Sequence, residues 1–233
     1  VENYYPFGRT PDTRPSGSDP LDTIRSFAES ARAANVDEFA ITEHIYHFTA
    51  AREIVEQPWS VDKCFYDMDT YVDLLQRAQK EGLPVKVGIE MDFVEGKEAI
   101  IERVVKGYPF DFVLGSVHWI GDWGFDLSEH KHEWDTRRVD DAYRDYFRLL
   151  SQAVKTGFFD SMSHPDLIKV MGHLPEMDMA GLYEELADSV ASQPGLCVEI
   201  SSAGLRKPVG RLYPEQPLMK AFARRGIPIT TAS

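Results

Sequence analysis

Strand-like apolar segments alternate with helix-like segments along most of the chain. Strands are predicted over residues 38–43, 85–90, 112–117, 158–163, 196–201 and 227–231. Apolar positions recur with helical spacing over residues 19–31, 69–81, 99–105, 140–155, 180–191 and 214–225. This alternation is typical of parallel strands joined by right-handed helical crossovers, so the pattern predicts an α/β fold.

The chain is expected to form a single domain over residues 1–233, because it contains neither an internal repeat nor a low-complexity linker. A closed barrel needs one strand more than the six predicted, and its natural place is before Asp19. Residues 45–66 and 119–138 are expected to be long loops on the active face. The second of these loops, rich in Asp, His and Trp, is interpreted as a lid over the substrate.

Four residues with metal-ligating side chains stand at the ends of four different predicted strands. They are His44, Glu90, His118 and His164. Each segment between them is long enough for a helix, so all four strands deliver their last residue to the same end of a sheet. In barrels built from such units, the loops after the strands form the active face.

Each of these side chains also has an ordinary structural explanation. A single histidine at a strand end is more often a hydrogen-bonding residue than a ligand, and Glu90 could pair with a buried arginine. Glu90 follows a strongly apolar run, where an unpaired carboxylate is costly to bury. The joint pattern favours a metal site, because otherwise four residues with unrelated structural roles would have to lie at the same end of the sheet by coincidence.

Histidine and carboxylate ligands suit zinc, iron or manganese. The chain has only two cysteines, which rules out a disulfide framework and a zinc site made of thiolates. Paired ions can activate a water molecule and stabilise both the attacking and the leaving oxygen of a phosphoryl transfer.

A cationic loop follows the fifth predicted strand, over residues 201–211. It contains two serines, two glycines and three basic residues, and a solvated turn would explain it equally well on composition alone. Its expected position on the ligand face favours anion binding. Arg206 is the candidate for binding phosphate oxygens, because a guanidinium can donate two parallel hydrogen bonds.

The formal net charge of −13 argues against a general nucleic-acid or membrane binder, since phosphate-rich partners require Lys and Arg. No run reaches the length of a transmembrane helix, and no signal-peptide pattern is present. The expected location is therefore the cytoplasm, and the expected partner is a small phosphorylated substrate. The oligomeric state stays open.

Several short motifs resemble those of the PHP family of metal-dependent phosphoesterases, and specifically its histidinol-phosphatase branch. The matching segments are Thr42-Glu43-His44, Gly88-Ile89-Glu90, Gly115-Ser116-Val117-His118-Trp119, Trp123-Gly124-Phe125-Asp126, Ser163-His164-Pro165-Asp166 and Gly204-Leu205-Arg206-Lys207-Pro208-Val209-Gly210. The resemblance extends from about Asp19 to the last residue.

The resemblance implies a distorted (β/α)7 parallel barrel with two to three divalent transition metals, Zn, Fe or Mn. It implies hydrolysis of L-histidinol phosphate to histidinol and phosphate in histidine biosynthesis. The implied metal ligands are His44, Glu90, His118 and His164. Glu90 and Arg206 are the implied catalytic residues, and Arg206, Ser116 and Lys207 are the implied substrate-binding residues.

Two parts of the family pattern are not found in this chain. The family begins with a His-x-His pair on its first strand, whereas this chain has no histidine before His44; Tyr4 and Pro6 would stand in that place. The family also has an Asp-x-His after a strand like residues 229–233, and this chain ends at Ser233. The barrel is therefore expected to be incomplete at both ends, through a shortened chain or a reduced site.

Three alternative functions remain open at this point. The chain could hydrolyse another small phosphate ester, or it could be an impaired or fragmentary PHP domain that binds a ligand or partner without turnover. An amidohydrolase-like barrel would use similar ligands. This chain, however, has no lysine at the end of a predicted strand to bridge two metals, and that function would not account for Arg206.

Overall fold

The computed structural model describes residues 19–57, 60 and 63–232. The α-helices are α1 (Pro20–Ala33), α2 (Met68–Lys80), α3 (Glu98–Gly107), α4 (Val139–Thr156), α5 (Ala180–Ala191) and α6 (Gln216–Arg224). The strands are β1 (Phe39–His44), β2 (Val85–Asp92), β3 (Phe112–Ser116), β4 (Trp119–Ile120), β5 (Trp123–Gly124), β6 (Ser161–Met162), β7 (Cys197–Ser201) and β8 (Ile229–Ala232). The predicted helices and strands are confirmed, with ends that shift by a few residues.

Six strands form one sheet in the order β1-β2-β3-β6-β7-β8. β1 pairs with β2, β3 with β6, β6 with β7 and β7 with β8, all in parallel. Backbone hydrogen bonds from Asp111 N–H to Val87 O (2.8 Å) and from Phe93 N–H to Ser116 O (2.7 Å) flank β2 and β3. The parallel α/β class is confirmed. The seventh strand expected before Asp19 lies outside the described residues.

The chain divides into two compact units by its internal contacts. Among the described residues, unit 1 contains those from 19 to 90 and from 103 to 113, and unit 2 contains those from 91 to 102 and from 114 to 232. The boundary crosses β2, β3 and α3. The single-domain expectation stays a prediction.

Unit 1 is organised by the packing of α1 and α2 beside β1 and β2. The helix predicted to begin at Asp19 is confirmed: its carboxylate accepts a hydrogen bond from Leu21 N–H at 3.0 Å, and Pro20 is the first helical residue. The buried Tyr71 hydroxyl of α2 lies 2.9 Å from the carbonyl oxygens of both Ile41 and Gly88. It therefore links α2 to both strands.

Unit 2 buries the long helix α4 against its neighbours. Its buried residues recur every three or four positions, as in Tyr143, Tyr146, Phe147 and Leu150. The helix ends at Gly157, whose φ of 68° is left-handed and favours glycine.

Residues 119–138 are more ordered than the loop that the sequence predicts. They contain the antiparallel pair β4 and β5 and a 3-10 helix over Ser128–Thr136. Trp134 is buried, and its indole N–H donates to Phe125 O at 3.1 Å. Within the described ranges, no helix combines the length and apolar character required to cross a bilayer.

Candidate active site

His44 and Glu90 form a buried pair in unit 1. They are the register partners at the carboxyl ends of β1 and β2, so the sheet itself brings them together. The Nδ1 atom of His44 lies 3.4 Å from Oε2 of Glu90, and both side chains are largely enclosed. An imidazole and a carboxylate at this separation are a suitable pair of donors for a divalent transition metal.

Two further buried ionisable residues adjoin this pair. Glu43 is 4% exposed, and its Oε2 atom has no hydrogen-bond partner among the described residues. Burial, with a smaller contribution from Glu90, raises the pKa of Glu43 to about 8, although a hydrogen bond from His44 N–H opposes the shift. His47 is also buried, and burial lowers its pKa to about 3. Glu43 thus places a carboxyl group, and His47 an imidazole, close to His44.

In unit 2, His118 is held by Asp92. Asp92 is the last residue of β2 and is 1% exposed, and its Oδ1 atom makes a short contact with Nδ1 of His118. Such a contact fixes the orientation of the imidazole and makes Nε2 its metal-binding nitrogen. Carboxylate–histidine pairs of this kind are common around metal ions.

His164 lies beside His118 in unit 2. The two imidazole ring centres are 5.2 Å apart. The backbone N–H of His164 donates to Glu199 Oε1 at 3.2 Å, and its carbonyl oxygen accepts from the hydroxyl of Tyr146 at 3.2 Å. Contacts to two other elements therefore fix the backbone that carries this imidazole.

Asp126 is close enough to the same two histidines for their charges to affect the pKa of its carboxyl group. Burial raises the pKa of its carboxyl group, whereas the charges of His118 and His164 lower it and that of Asp92 raises it. Its Oδ1 atom is enclosed without a hydrogen-bond partner among the described residues, as is Oδ2 of Asp92. The cluster around His118 and His164 thus includes two carboxylate oxygens for which a cation could substitute as a partner.

Ser116 is fully buried. Its hydroxyl lies 2.5 Å from that of Ser163, and Ser163 in turn donates to Gly115 O at 3.1 Å. The structure places this predicted substrate-binding residue next to the backbone that carries His118 and His164.

Arg206 and Lys207 lie in the loop after β7, and both are exposed. Arg206 ends a 3-10 helix over Ala203–Arg206. The loop is closed by two backbone hydrogen bonds between Ser201 and Tyr213, of 2.8 and 3.1 Å. A Cβ atom at Gly204 would lie 2.0 Å from the carbonyl oxygen of Arg211, so only glycine allows this close approach.

These donor sets fit the divalent metals that the resemblance implies. Each unit contains histidine nitrogens and carboxylate oxygens, without thiolates. One oxygen of each of three carboxylates, Glu43 Oε2, Asp92 Oδ2 and Asp126 Oδ1, lacks a hydrogen-bond donor among the described residues. A bound cation would compensate the cost of burying them.

Comparison with known proteins assigns the chain to a family. The family model described as "PHP domain" matches residues 13–203. The chain belongs to the PHP-domain family. The parallel α/β sheet and the motifs that carry the resemblance in sequence are consistent with this membership.

Curated relatives of this chain include two proteins named probable histidinol-phosphatase. The one from Deinococcus radiodurans is 36% identical over 214 residues, which span 91% of this chain and 79% of the relative. The one from Clostridium acetobutylicum is 29% identical over 130 residues, or 55% of this chain and 45% of the relative.

Two solved structures have the same PHP-type fold. One, from Listeria monocytogenes and assigned as a histidinol phosphatase, has a TM-score of 0.76 at 18% identity and covers 94% of this chain and 89% of its own. The other is the histidinol phosphate phosphatase of Lactococcus lactis, solved with zinc, L-histidinol and phosphate. Its TM-score is 0.68 at 22% identity, and it covers 90% of this chain and 78% of its own.

Sequence reasoning missed the residues that hold the predicted PHP-domain ligands. The sequence patterns assign no role to Asp92, Glu199 or His47, and they include Glu43 only as part of a motif. Asp92 carried one signal that could have found it, because it is a second acidic residue at the end of the apolar run that contains Glu90.

Proposed function

We propose that this chain is a metal-dependent phosphomonoesterase that hydrolyses L-histidinol phosphate to histidinol and phosphate. The observation that carries the proposal is the 36% identity over 91% of the chain with a probable histidinol-phosphatase. The buried histidine and carboxylate groups at the carboxyl ends of the strands support it, because they are the groups that such chemistry requires.

We propose His44, Glu90, His118 and His164 as ligands of two to three divalent ions, zinc, iron or manganese. When bound, such ions lower the pKa of water and stabilise negative charge on phosphoryl oxygens. Asp92 orients the imidazole of His118 through its Nδ1 atom. The zinc in the Lactococcus lactis structure supports a transition metal for this chain as well.

We propose that the substrate phosphate is held by Arg206, with help from Lys207 and Ser116. The guanidinium of Arg206 would neutralise charge on the non-bridging oxygens, where a positioned donor is worth about 3 kcal/mol of activation free energy. Asp126 and the more exposed Asp122 and Glu129 would attract the cationic amino alcohol part of the substrate. Their acidity matches a cationic ligand rather than an anionic one.

The direct test is phosphate release from L-histidinol phosphate by protein loaded with Mn²⁺, Zn²⁺ or Fe²⁺. We expect turnover that is lost on chelation and in His164→Ala, whereas His132→Ala, an exposed histidine of the lid segment, keeps it. Metal-loaded protein that releases no phosphate from this ester would contradict the proposal. A panel of other small phosphate esters separates the alternative substrate class.

We also propose that the protein acts in the cytoplasm and does not bind nucleic acid. The net charge of −13 supports the absence of nucleic-acid binding, because it would repel the phosphate backbone. A filter-binding assay with single- and double-stranded DNA and RNA at low salt would test it, with retention of nucleic acid as the contradicting result.

A further inference from the structure

Unit 2 contains a cavity that none of the proposed metal ligands lines. Its volume is about 360 Å³, and its walls come from α4, α5 and the segments before α5 and α6. The apolar part of the wall includes Leu174, Pro175 and Met179, and the rings of Tyr143 and Tyr183 complete it. A volume of this size lies in the range of small-molecule sites, roughly 300–1,000 Å³.

The polar part of this cavity is a buried charge network around Lys169. Lys169 is 1% exposed, and its ammonium group lies 2.7 Å from Asp166 Oδ2, 2.7 Å from the carbonyl oxygen of Leu212 and 3.2 Å from Glu215 Oε1. Asp166 Oδ2 also accepts from Glu215 N–H at 2.7 Å. One oxygen of the Asp166 carboxylate is thus fully engaged.

The other oxygen of Asp166 lacks a donor. Asp166 is 1% exposed, it lines the cavity, and its Oδ1 atom has no hydrogen-bond partner among the described residues. A buried, unpaired carboxylate oxygen is costly, and a donor that carries positive charge compensates it best. The atom therefore indicates a ligand with a cationic N–H group.

The charges that line the cavity also favour a cation. Three carboxylates line it, from Asp166, Asp178 and Glu215, and two cations, from Lys169 and Arg211. Both cations are already paired with Glu215, Arg211 at 3.1 Å and Lys169 at 3.2 Å. One further positive charge would neutralise these three carboxylates and two cations, and the rings of Tyr143 and Tyr183 can also attract a cation.

We propose that this cavity, the Asp166 pocket, binds a compact organic cation, an ammonium group on a short apolar or aromatic body. The ammonium donates to Oδ1 of Asp166, and the body packs against Leu174, Met179 and Tyr183. The Asp166 pocket is a ligand site additional to the phosphatase site, and its existence does not depend on the proposed activity.

The test is calorimetric titration of the full chain with benzylammonium, with benzyl alcohol and benzoate as the neutral and anionic analogues. We expect saturable binding of benzylammonium, weakened about tenfold or more when either the ligand charge or the Asp166 charge is removed, the latter by Asp166→Asn. The titration is repeated after chelation, so that binding at the metal ligands is recognised by its loss. Binding that persists without metal and weakens in Asp166→Asn supports the Asp166 pocket, whereas equal binding of all three compounds overturns it.

A second variant keeps the test decisive if Asp166→Asn disturbs folding. Ala180 lines the cavity at the exposed start of α5, so Ala180→Phe fills the cavity without changing a buried residue. Ala191→Phe is the matched control, because it makes the same change at the exposed other end of the same helix. Loss of benzylammonium binding in Ala180→Phe alone supports the proposal. Unchanged binding in Ala180→Phe overturns it, whether or not phosphate release is observed.

Discussion

Asp92 and His118 are 26 positions apart in the sequence, and their side chains meet in unit 2. A neutral imidazole has one donating and one accepting nitrogen, so a carboxylate at Nδ1 determines which nitrogen can bind a cation. The same carboxylate raises the basicity of the ring, which strengthens its bond to a metal. Asp92 is therefore a positioning residue for a proposed ligand.

The first prediction concerns this contact. Asp92→Asn removes the negative charge but keeps the size of the side chain, and we expect the metal affinity to fall by about 10- to 100-fold. Competition with a fluorescent chelator measures the affinity. Asp73→Asn, on the exposed face of α2, is the control and should leave it unchanged. Equal affinities in the two variants would show that Asp92 does not act through His118.

The second prediction concerns Arg206. Its side chain is exposed at the end of a 3-10 helix, where substrate can reach it. If it contacts the phosphate, Arg206→Ala should lower kcat/KM for L-histidinol phosphate by about a hundredfold, since a transition-state hydrogen bond is lost. Steady-state phosphate release measures this value, and Arg144→Ala on the exposed face of α4 is the control. An unchanged KM and kcat would remove Arg206 from the site.

Strand β2 shows how an element positions the site. It has a glycine at position 88, opposite Thr42 of β1 in the register that also pairs His44 with Glu90. A Cβ atom at Gly88 would lie 2.7 Å from the carbonyl oxygen of Ile41 and 2.8 Å from Cγ2 of Thr42. The absence of a side chain therefore allows β1 to approach β2 closely, two residues before the Glu90 ligand.

The third prediction tests this approach. Gly88→Ala should lower the free energy of unfolding by about 1–3 kcal/mol, because the added methyl group meets backbone atoms that cannot rotate away. Urea unfolding measures the change. Gly107→Ala is the matched control at the end of α3, where a Cβ atom meets nothing within 4 Å, and it should leave the stability unchanged or slightly raised. Equal stabilities of the two variants would contradict the close approach.

The segment between β3 and α4, residues 119–138, differs most from its prediction. Its composition of Asp, His and Trp predicts a loop, yet Trp119, Trp123 and Trp134 are buried and β4 and β5 form a short hairpin. Periodicity over two-residue strands is too short to recognise in a sequence. Burial of the indole rings, rather than local propensity, orders this segment.

At the scale of the whole molecule, metal binding and folding should be coupled. A ligand that binds only the folded state raises the free energy of unfolding by about 2.7 kcal/mol at a hundred times its dissociation constant. The fourth prediction is therefore that Zn²⁺ or Mn²⁺ raises the thermal unfolding temperature and that chelation lowers it. Differential scanning calorimetry with and without chelator measures the shift.

Two variants make the fourth prediction specific. Glu90→Ala removes a proposed ligand and should reduce the metal-dependent shift, whereas His132→Ala removes an exposed histidine and should keep it. A shift of the same size in both would indicate that the ions bind elsewhere on the acidic surface.

The sequence alone was sufficient for the order of the six α-helices and of the six strands of the parallel sheet, and for the positions of His44, Glu90, His118 and His164 at strand ends. These features follow from short-range periodicity and from the alternation of elements, both of which depend on neighbours along the chain. Only the tertiary structure decided that Asp92 holds His118, that the charges of His118 and His164 act on Asp126, and that Asp166 and Lys169 form an ion-pair network with Glu215. The reason is that such partners are distant in sequence, and their meeting depends on strand register and helix packing, which spacing does not encode.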